Sequence, residues 1–135
     1  MRLRLALYGV VLCVCVAPFL SAQDAAKVDS KHYTVVSENA QVRILKVHYG
    51  PHEKSVMHSH PNAVAVFLSD STARFTYPDG KTEDITTKAG DARYTPSTVH
   101  LPENVGDSGL DVIVVELKAK TAAKATVKPA KTEMK

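Results

Sequence analysis

The segment AVAVFLSDSTARFTYPDGKTEDITT, residues 63–87, decides the fold class of this chain. Its β-branched and aromatic residues form short runs or alternate with polar residues, which is typical of strands rather than helices. Pro78, Asp79 and Gly80 separate TARFTY (72–77) from TEDITT (82–87) and predict a hairpin turn between two strands. The apolar run AVAVFL (63–68) ahead of the hairpin predicts a buried strand.

The same signals extend to both sides of this segment. HYTVVS (32–37) starts the domain, and QVRILKVHY (41–49) alternates, so that Leu45, Val47 and Tyr49 share one face. DVIVVEL (111–117) predicts a second buried strand, and residues 88–91 and 106–109 predict further turns. About eight to ten short strands joined in this way predict an all-β fold, a small antiparallel barrel or sandwich with one core.

The two ends of the 135-residue chain differ from its middle. Residues 1–22 combine a cationic start, an apolar run and the small residues Ser21 and Ala22, which predicts a signal peptide cleaved near Ala22. An uncleaved membrane anchor is the rival interpretation, but the run is short for a span and contains Gly9 and Pro18. We therefore expect a periplasmic or secreted protein with no stable membrane span after cleavage, and one domain over residues 32–118.

Charge divides along the chain. The net charge of +3 combines about +2 over residues 1–22, about −4 over residues 23–117 and about +5 over residues 118–135. A mildly acidic domain argues against nucleic acid as a partner. The Lys- and Ala-rich segment 119–135 has little to bury, which predicts a disordered, solvated tail or one that touches anionic envelope polymers or lipid headgroups. Both cysteines, Cys13 and Cys15, lie in the leader, so the mature chain needs no disulfide.

The triplet His58-Ser59-His60 carries the first sign of chemistry. Residues two apart in a strand project to the same face, so the two imidazoles point together. Two neutral imidazoles that face one volume make half of a transition-metal site, provided that other strands bring further ligands.

A second motif completes the pattern. Gly50 ahead of the His-x-His pair, followed by GDARYTP (90–96), His100 and Asn104, resembles the two motifs of the cupin superfamily. The resemblance covers residues 35–118, and this segment is similar to the small single-domain cupins that include a β-alanine degradation protein. It implies a double-stranded β-helix (jelly-roll) barrel with a metal ion in its mouth. His58, His60 and His100 match the family's histidine ligands.

The family's fourth ligand does not carry over. The motif glutamate falls at Val64 or Ala65, and neither side chain binds a metal. Thr98 also stands where the second motif usually has glycine, and His100 follows one residue early. Three neutral imidazoles leave a divalent ion's charge uncompensated, so water, hydroxide or an anion must take its other positions. Iron, manganese, nickel, zinc and copper all accept imidazole, so the metal's identity stays open.

Three functions remain open at this stage. One is an exported metal-dependent enzyme, for example a dioxygenase-like protein acting on a small-molecule substrate, as three-histidine cupins can be. Another is a metal-free barrel that binds a sugar or an organic acid without turnover. The third is assembly into a homodimer through an edge strand.

The remaining polar and aromatic residues are expected to be solvent-exposed or to pack in the core. His52, Glu53 and Glu103 could complete the metal site, but we expect ordinary solvated loop residues at all three, with Glu103 on the face opposite to His100. His48 is expected on a packed or exposed strand position and His32 near the domain's edge. Of the two residues beside the second motif, one points into the barrel, and Tyr94 rather than Arg93 is expected in the core. Packing positions are expected for the following aromatic residues: Phe67, Phe75 and Tyr77.

Overall fold

The computed structural model describes residues 23–119. One short helix and nine strands occur in this part of the chain. They are α1 (Ala25–Val28), β1 (Tyr33–Glu38), β2 (Val42–Tyr49), β3 (His58–His60), β4 (Ala63–Phe67), β5 (Ser71–Thr76), β6 (Thr82–Thr87), β7 (Ala92–Thr95), β8 (Thr98–Asn104) and β9 (Leu110–Leu117). The expected signal peptide and nearly all of the basic tail lie outside the described residues.

The strands form two antiparallel sheets that enclose one core. The five-stranded sheet has the order β1-β2-β9-β4-β7, and the four-stranded sheet has the order β3-β8-β5-β6. The two β-branched runs that the sequence predicts as buried strands, β4 and β9, are neighbours in the first sheet. The all-β, jelly-roll architecture predicted from the sequence is therefore confirmed.

Alternation along β2 explains how the core forms. Leu45, Val47 and Tyr49 are buried, whereas Lys46 and His48 between them are exposed. Removing one face of such a strand from water stabilises the sheet by roughly 1.5–3 kcal/mol for each large apolar side chain. The inward-facing side chains of β2 therefore form one side of the core.

Turn chemistry at the β5–β6 hairpin agrees with the sequence prediction. The backbone N–H of Tyr77 donates to the Lys81 carbonyl at 2.9 Å, and Gly80 has a φ of +83°. Only glycine adopts that conformation at little cost, because a Cβ would crowd the backbone. The hairpin therefore depends on glycine at position 80.

The residues ahead of β1 also pack on the barrel. Asp24 caps α1 by accepting a 3.0 Å hydrogen bond from the Ala26 N–H, and Ala25 is fully buried in the core cluster. The Ser59 N–H donates to the Gln23 carbonyl at 2.8 Å, so this N-terminal segment is bound to β3. No helix within residues 23–119 is long and apolar enough to cross a membrane.

One expectation about β7 is wrong. Tyr94 is 60% exposed and lies outside the core. In the β4–β7 pair Tyr94 stands opposite Val64, while Arg93 stands opposite the buried Ala65. Directly paired residues in antiparallel strands share a face, so Arg93 takes the inward position and Tyr94 the outward one.

Candidate metal centre and its cavity

Strands β3 and β8 bring the three predicted histidines together. His58 is paired directly with His100, and His60 follows two positions along the same strand. The ring centroids of His58 lie 4.9 Å from those of His60 and 5.1 Å from those of His100, and the third separation is 5.5 Å. All three side chains are buried. The register therefore places three imidazoles in one small volume, as the sequence predicts.

The facing nitrogen atoms of this cluster lack partners. One ligand atom from each of the three rings lies within 4.8 Å of the others. Nε2 of His58 and both ring nitrogens of His100 are buried and have no hydrogen-bond partner among the described residues. A buried polar atom without a partner costs about 1–3 kcal/mol, so these nitrogens make the cluster a candidate site for an ion.

A buried carboxylate fixes the orientation of His60. Nδ1 of His60 donates to Oε1 of Glu116 at 2.7 Å, and Glu116 is only 2% exposed. Oε2 of the same carboxylate accepts from the Arg43 guanidinium at 2.6 Å. Because the proton is held on Nδ1, Nε2 of His60 keeps a free lone pair, as in carboxylate–histidine–metal arrangements.

A different set of partners fixes His58. Its Nδ1 donates to the Val56 carbonyl at 2.8 Å and lies 3.3 Å from the Ser55 hydroxyl. That hydroxyl donates in a short hydrogen bond to the buried carboxylate of Asp29, which also accepts from His32 at 2.7 Å. Nε2 of His58 is thereby left facing the cluster with its lone pair free.

Aromatic rings hold the imidazoles from the sides. The Tyr33 ring meets His58 edge-on at a centroid distance of 4.9 Å, and the Phe75 ring meets His100 at 4.5 Å. The Tyr49 hydroxyl donates to the Tyr33 hydroxyl at 2.9 Å, which keeps Tyr33 in place. Such packing limits the rotamers that the histidines can adopt.

The surroundings keep two of the rings neutral. Burial, together with the neighbouring His60, lowers the pKa of His58 to about 4. Burial and the same neighbour, with a smaller contribution from His58, lower the pKa of His100 to about 3. Neutral imidazole is the form that binds a metal ion, so both rings are ready to act as ligands at neutral pH.

The side chains at the two candidate positions for the missing motif glutamate lie on opposite faces of β4. Ala65 is buried and lines the cavity beside the histidines, whereas Val64 lies on the other face of β4. Neither provides a ligand atom. The buried acid near the cluster is instead Glu116 of β9, which is opposite Ala63 in the β4–β9 pair and which the sequence analysis missed. Its signal was an acidic residue in phase with the inward apolar residues Leu110 and Val112 of the same strand.

A cavity of about 300 Å³ adjoins the cluster. His60 and His100 form part of its lining, and most of the remaining lining is aliphatic or aromatic. Phe67, Phe75 and Tyr77, which were expected to be packing residues, also line this cavity. The volume is at the lower end of the range for small-molecule pockets.

The other candidates lie away from the cluster. His52 pairs with Asp107 at 2.8 Å on the surface, and His48 pairs with Asp111 at 2.9 Å. Glu53 contacts Lys31 and His32 and accepts from the Gly50 N–H, so it closes a turn. Glu103 lies 3.5 Å from Lys54 in an ion pair, although it also borders the cavity. His32 is not at the surface: it is buried and stacks on Tyr49 at a centroid distance of 4.2 Å.

Asn104 of the second motif has a structural task. Its side-chain amide donates to the carbonyls of Gly50 and Ser108 at 2.9 and 2.8 Å, and its oxygen accepts from the Gly106 N–H at 3.1 Å. These bonds tie the β8–β9 turn to the end of β2. The residue is therefore fully used and is unavailable as a ligand.

Comparison with known proteins supports the fold. No family model and no curated protein matches the chain. Among solved structures, a cupin domain from Bordetella pertussis is 21% identical, with a TM-score of 0.60, over 64% of this chain and 92% of that one. A protein with a double-stranded β-helix domain from Klebsiella pneumoniae is 26% identical, with a TM-score of 0.50, over 62% of this chain and 74% of that one.

An archaeal structure extends the same likeness. An RmlC-like cupin family protein with a double-stranded β-helix fold, from Methanocaldococcus jannaschii, is 20% identical, with a TM-score of 0.51, over 66% of this chain and 83% of that one. These neighbours show that the chain has the double-stranded β-helix fold that is found in cupin domains. The narrower resemblance to the group with the β-alanine degradation protein stays a prediction.

Proposed function

We propose that this domain binds one divalent transition-metal ion through His58, His60 and His100. The observation that carries the proposal is the set of partnerless buried nitrogens on His58 and His100, which face each other across the cluster. Nitrogens that bind one ion at 2.0–2.1 Å in tetrahedral geometry lie about 3.4 Å apart. The donor atoms of the three rings lie within 4.8 Å of one another, so they need to move closer together when an ion binds.

The neighbouring residues suit this role. Glu116 and the Val56 carbonyl hold protons on the outward Nδ1 atoms of His60 and His58. The inward nitrogens then need no rearrangement of their tautomers before they bind an ion. Fixed rings lower the entropic cost of binding, since the ligands are already in place.

We further propose that the metal serves a small molecule held in the adjoining cavity, either as substrate or as ligand. When bound, the ion would supply Lewis acidity or redox chemistry next to that cavity. A dioxygenase-like enzyme is the catalytic form of this proposal. A binding protein without turnover is the alternative, favoured by the apolar side chain at Ala65 in place of the motif glutamate.

Metal content after purification tests the proposal. The protein is stripped with a chelator and dialysed separately against Fe²⁺, Mn²⁺, Ni²⁺, Zn²⁺ and Cu²⁺, and bound metal is measured by elemental analysis. We expect about one ion per chain for the wild type with at least one of these metals, and a loss of that ion in His100→Ala. His48→Ala is the matched control, because His48 is 58% exposed and pairs with Asp111 outside the cluster. Metal content far below one per chain in every case would contradict the proposal.

Export is a separate proposal. It is supported by the cationic and apolar sequence of residues 1–22 and by the lack of cysteine in residues 23–135. Cell fractionation followed by mass spectrometry of the intact protein tests it. A periplasmic or secreted protein whose N-terminus lies near Gln23 is expected, and a cytoplasmic protein that retains Met1 to Ala22 would contradict it.

A further inference from the structure

The cavity wall offers little to a polar ligand. Buried alanines and half-buried aromatic and aliphatic side chains form most of its surface, among them Ala65, Ala73, Phe75 and Val114. Two of the polar groups at its border are already used. Thr95 donates its hydroxyl proton to the Ala63 carbonyl at 3.3 Å, and the Asn104 amide is fully paired. A ligand therefore meets a largely apolar wall.

One cation at the border of the cavity is weakly engaged. Arg93 lines the cavity, its side chain is 46% exposed, and its guanidinium lies 5.8 Å from the centroid of the Phe67 ring. Both of its polar contacts within residues 23–119 use Nη2, at 3.3 Å from the Thr86 carbonyl and 3.5 Å from Asp91. The rest of the guanidinium is thus free to receive an anion.

The histidine end of the cavity also favours negative charge. Three neutral imidazoles leave a divalent ion's charge unbalanced, and the nearby Glu116 is already bound to Arg43 and His60. Glu103, the acidic residue at the cavity border, is paired with Lys54. A ligand that brings its own negative charge would therefore be stabilised at this end as well.

From these observations we infer that the cavity takes a small organic acid with an apolar body, and not a sugar. This inference rests on the proposed metal site and specifies its ligand class. An apolar body fits the wall, and its carboxylate would be attracted by Arg93 and by the cation that the histidines hold, since both border the cavity. A sugar would bury several hydroxyl groups against a wall that is mostly apolar, and each hydroxyl group left unpaired opposes binding.

Titration calorimetry on the Zn²⁺-loaded full chain tests this ligand class. The probes are butyrate, pentanoate and hexanoate, with hexan-1-ol, hexylamine and glucose for comparison. Each added methylene is expected to tighten carboxylate binding about fourfold until the cavity is full. Hexanoate is expected to bind more tightly than the alcohol, the amine and glucose.

Two variants with matched controls link binding to the cavity. Arg93→Gln is expected to weaken hexanoate binding roughly fivefold, the loss expected for a half-exposed ion pair. Arg74→Gln is its control, because Arg74 is also a half-exposed arginine, but it pairs with Asp84 outside the cavity. Ala73→Leu should fill part of the cavity and abolish the tighter binding of the longer carboxylates. Ala92→Leu, on the exposed side of β7, should leave that trend unchanged.

The outcomes separate this inference from the metal proposal. Zinc uptake is measured first on the same sample. If zinc binds one per chain but glucose binds as tightly as hexanoate, or Arg93→Gln behaves like Arg74→Gln, the inference is wrong and the metal site stands. If zinc does not bind, the titrations are repeated on the metal-free protein. Arg93-dependent hexanoate binding there would support the ligand class, and its absence would overturn it.

Discussion

Replacing Glu116 with glutamine tests whether a buried carboxylate outside the histidine cluster controls the metal site. Glu116 is 2% exposed, and its two oxygens accept hydrogen bonds from His60 at 2.7 Å and from Arg43 at 2.6 Å. Glutamine keeps the shape but removes the charge, and it offers one oxygen where two are used. The amide can therefore satisfy His60 or Arg43, but not both.

The expected magnitude follows from these contacts. Loss of a partner that orients a metal-binding histidine typically weakens metal binding about 10- to 100-fold, which corresponds to about 1.4–2.7 kcal/mol. The Glu116→Gln variant should also unfold more readily by about 1–3 kcal/mol, because a buried charge-assisted hydrogen bond is lost. Arg43 keeps its second partner, Asp24, at 2.7 Å, so a complete loss of the fold is not expected.

Competition with a chromophoric chelator measures the metal Kd, and circular dichroism confirms that the variant is folded at the assay temperature. Glu38→Gln is the control, since Glu38 of β1 is an ion-paired glutamate that contacts Lys118 and whose side chain is 47% exposed. A folded Glu116→Gln protein whose Kd lies within threefold of the wild type would refute the idea that this carboxylate orients His60.

Two further predictions concern the same cluster. Ala65→Glu should tighten metal binding, because it adds a carboxylate at a buried position that lines the cavity. Val64→Glu, on the other face of β4, should not tighten it. Metal Kd values that change equally in both variants would contradict this geometry. Metal-free protein should lose stability as the pH falls below about 6.5. In the folded state the pKa of His58 is about 4 and the pKa of His100 is about 3, and both values lie below those of the unfolded chain. The unfolded chain therefore binds protons more strongly, and acid favours unfolding. Thermal unfolding between pH 7.5 and 4.5 measures this dependence, and an equal acid-induced loss in a His58→Gln, His100→Gln protein would show that other groups cause it.

Short-range patterns in the sequence predict much of the fold. Alternation in residues 41–49 identifies Leu45, Val47 and Tyr49 as inward, and the Pro-Asp-Gly turn locates the β5–β6 hairpin. Both depend on backbone geometry that a few neighbouring residues determine. The shared face of His58 and His60 follows from the same two-residue period.

Pairing between distant strands is what the sequence does not reveal. Glu116 was missed because its contact with His60 depends on β9 lying beside β4, across 56 positions of the chain. The preference of aromatic residues for the core favoured Tyr94 as the inward residue of β7. Which residues of that edge strand face inward is instead determined by its pairing with β4. Ala63 and Ala65 of β4 face inward, so their paired residues Thr95 and Arg93 face inward as well.

The N-terminal segment bound to β3 has a consequence for how the protein must be handled. Asp29 accepts from the Ser55 hydroxyl beside His58, and Asp24 is ion-paired with Arg43, which binds the Glu116 carboxylate that holds His60. Proteolytic trimming that removes residues 23–31 would leave every histidine in the chain and still loosen the cluster. Intact mass should therefore be verified before a weak metal affinity is attributed to the barrel itself.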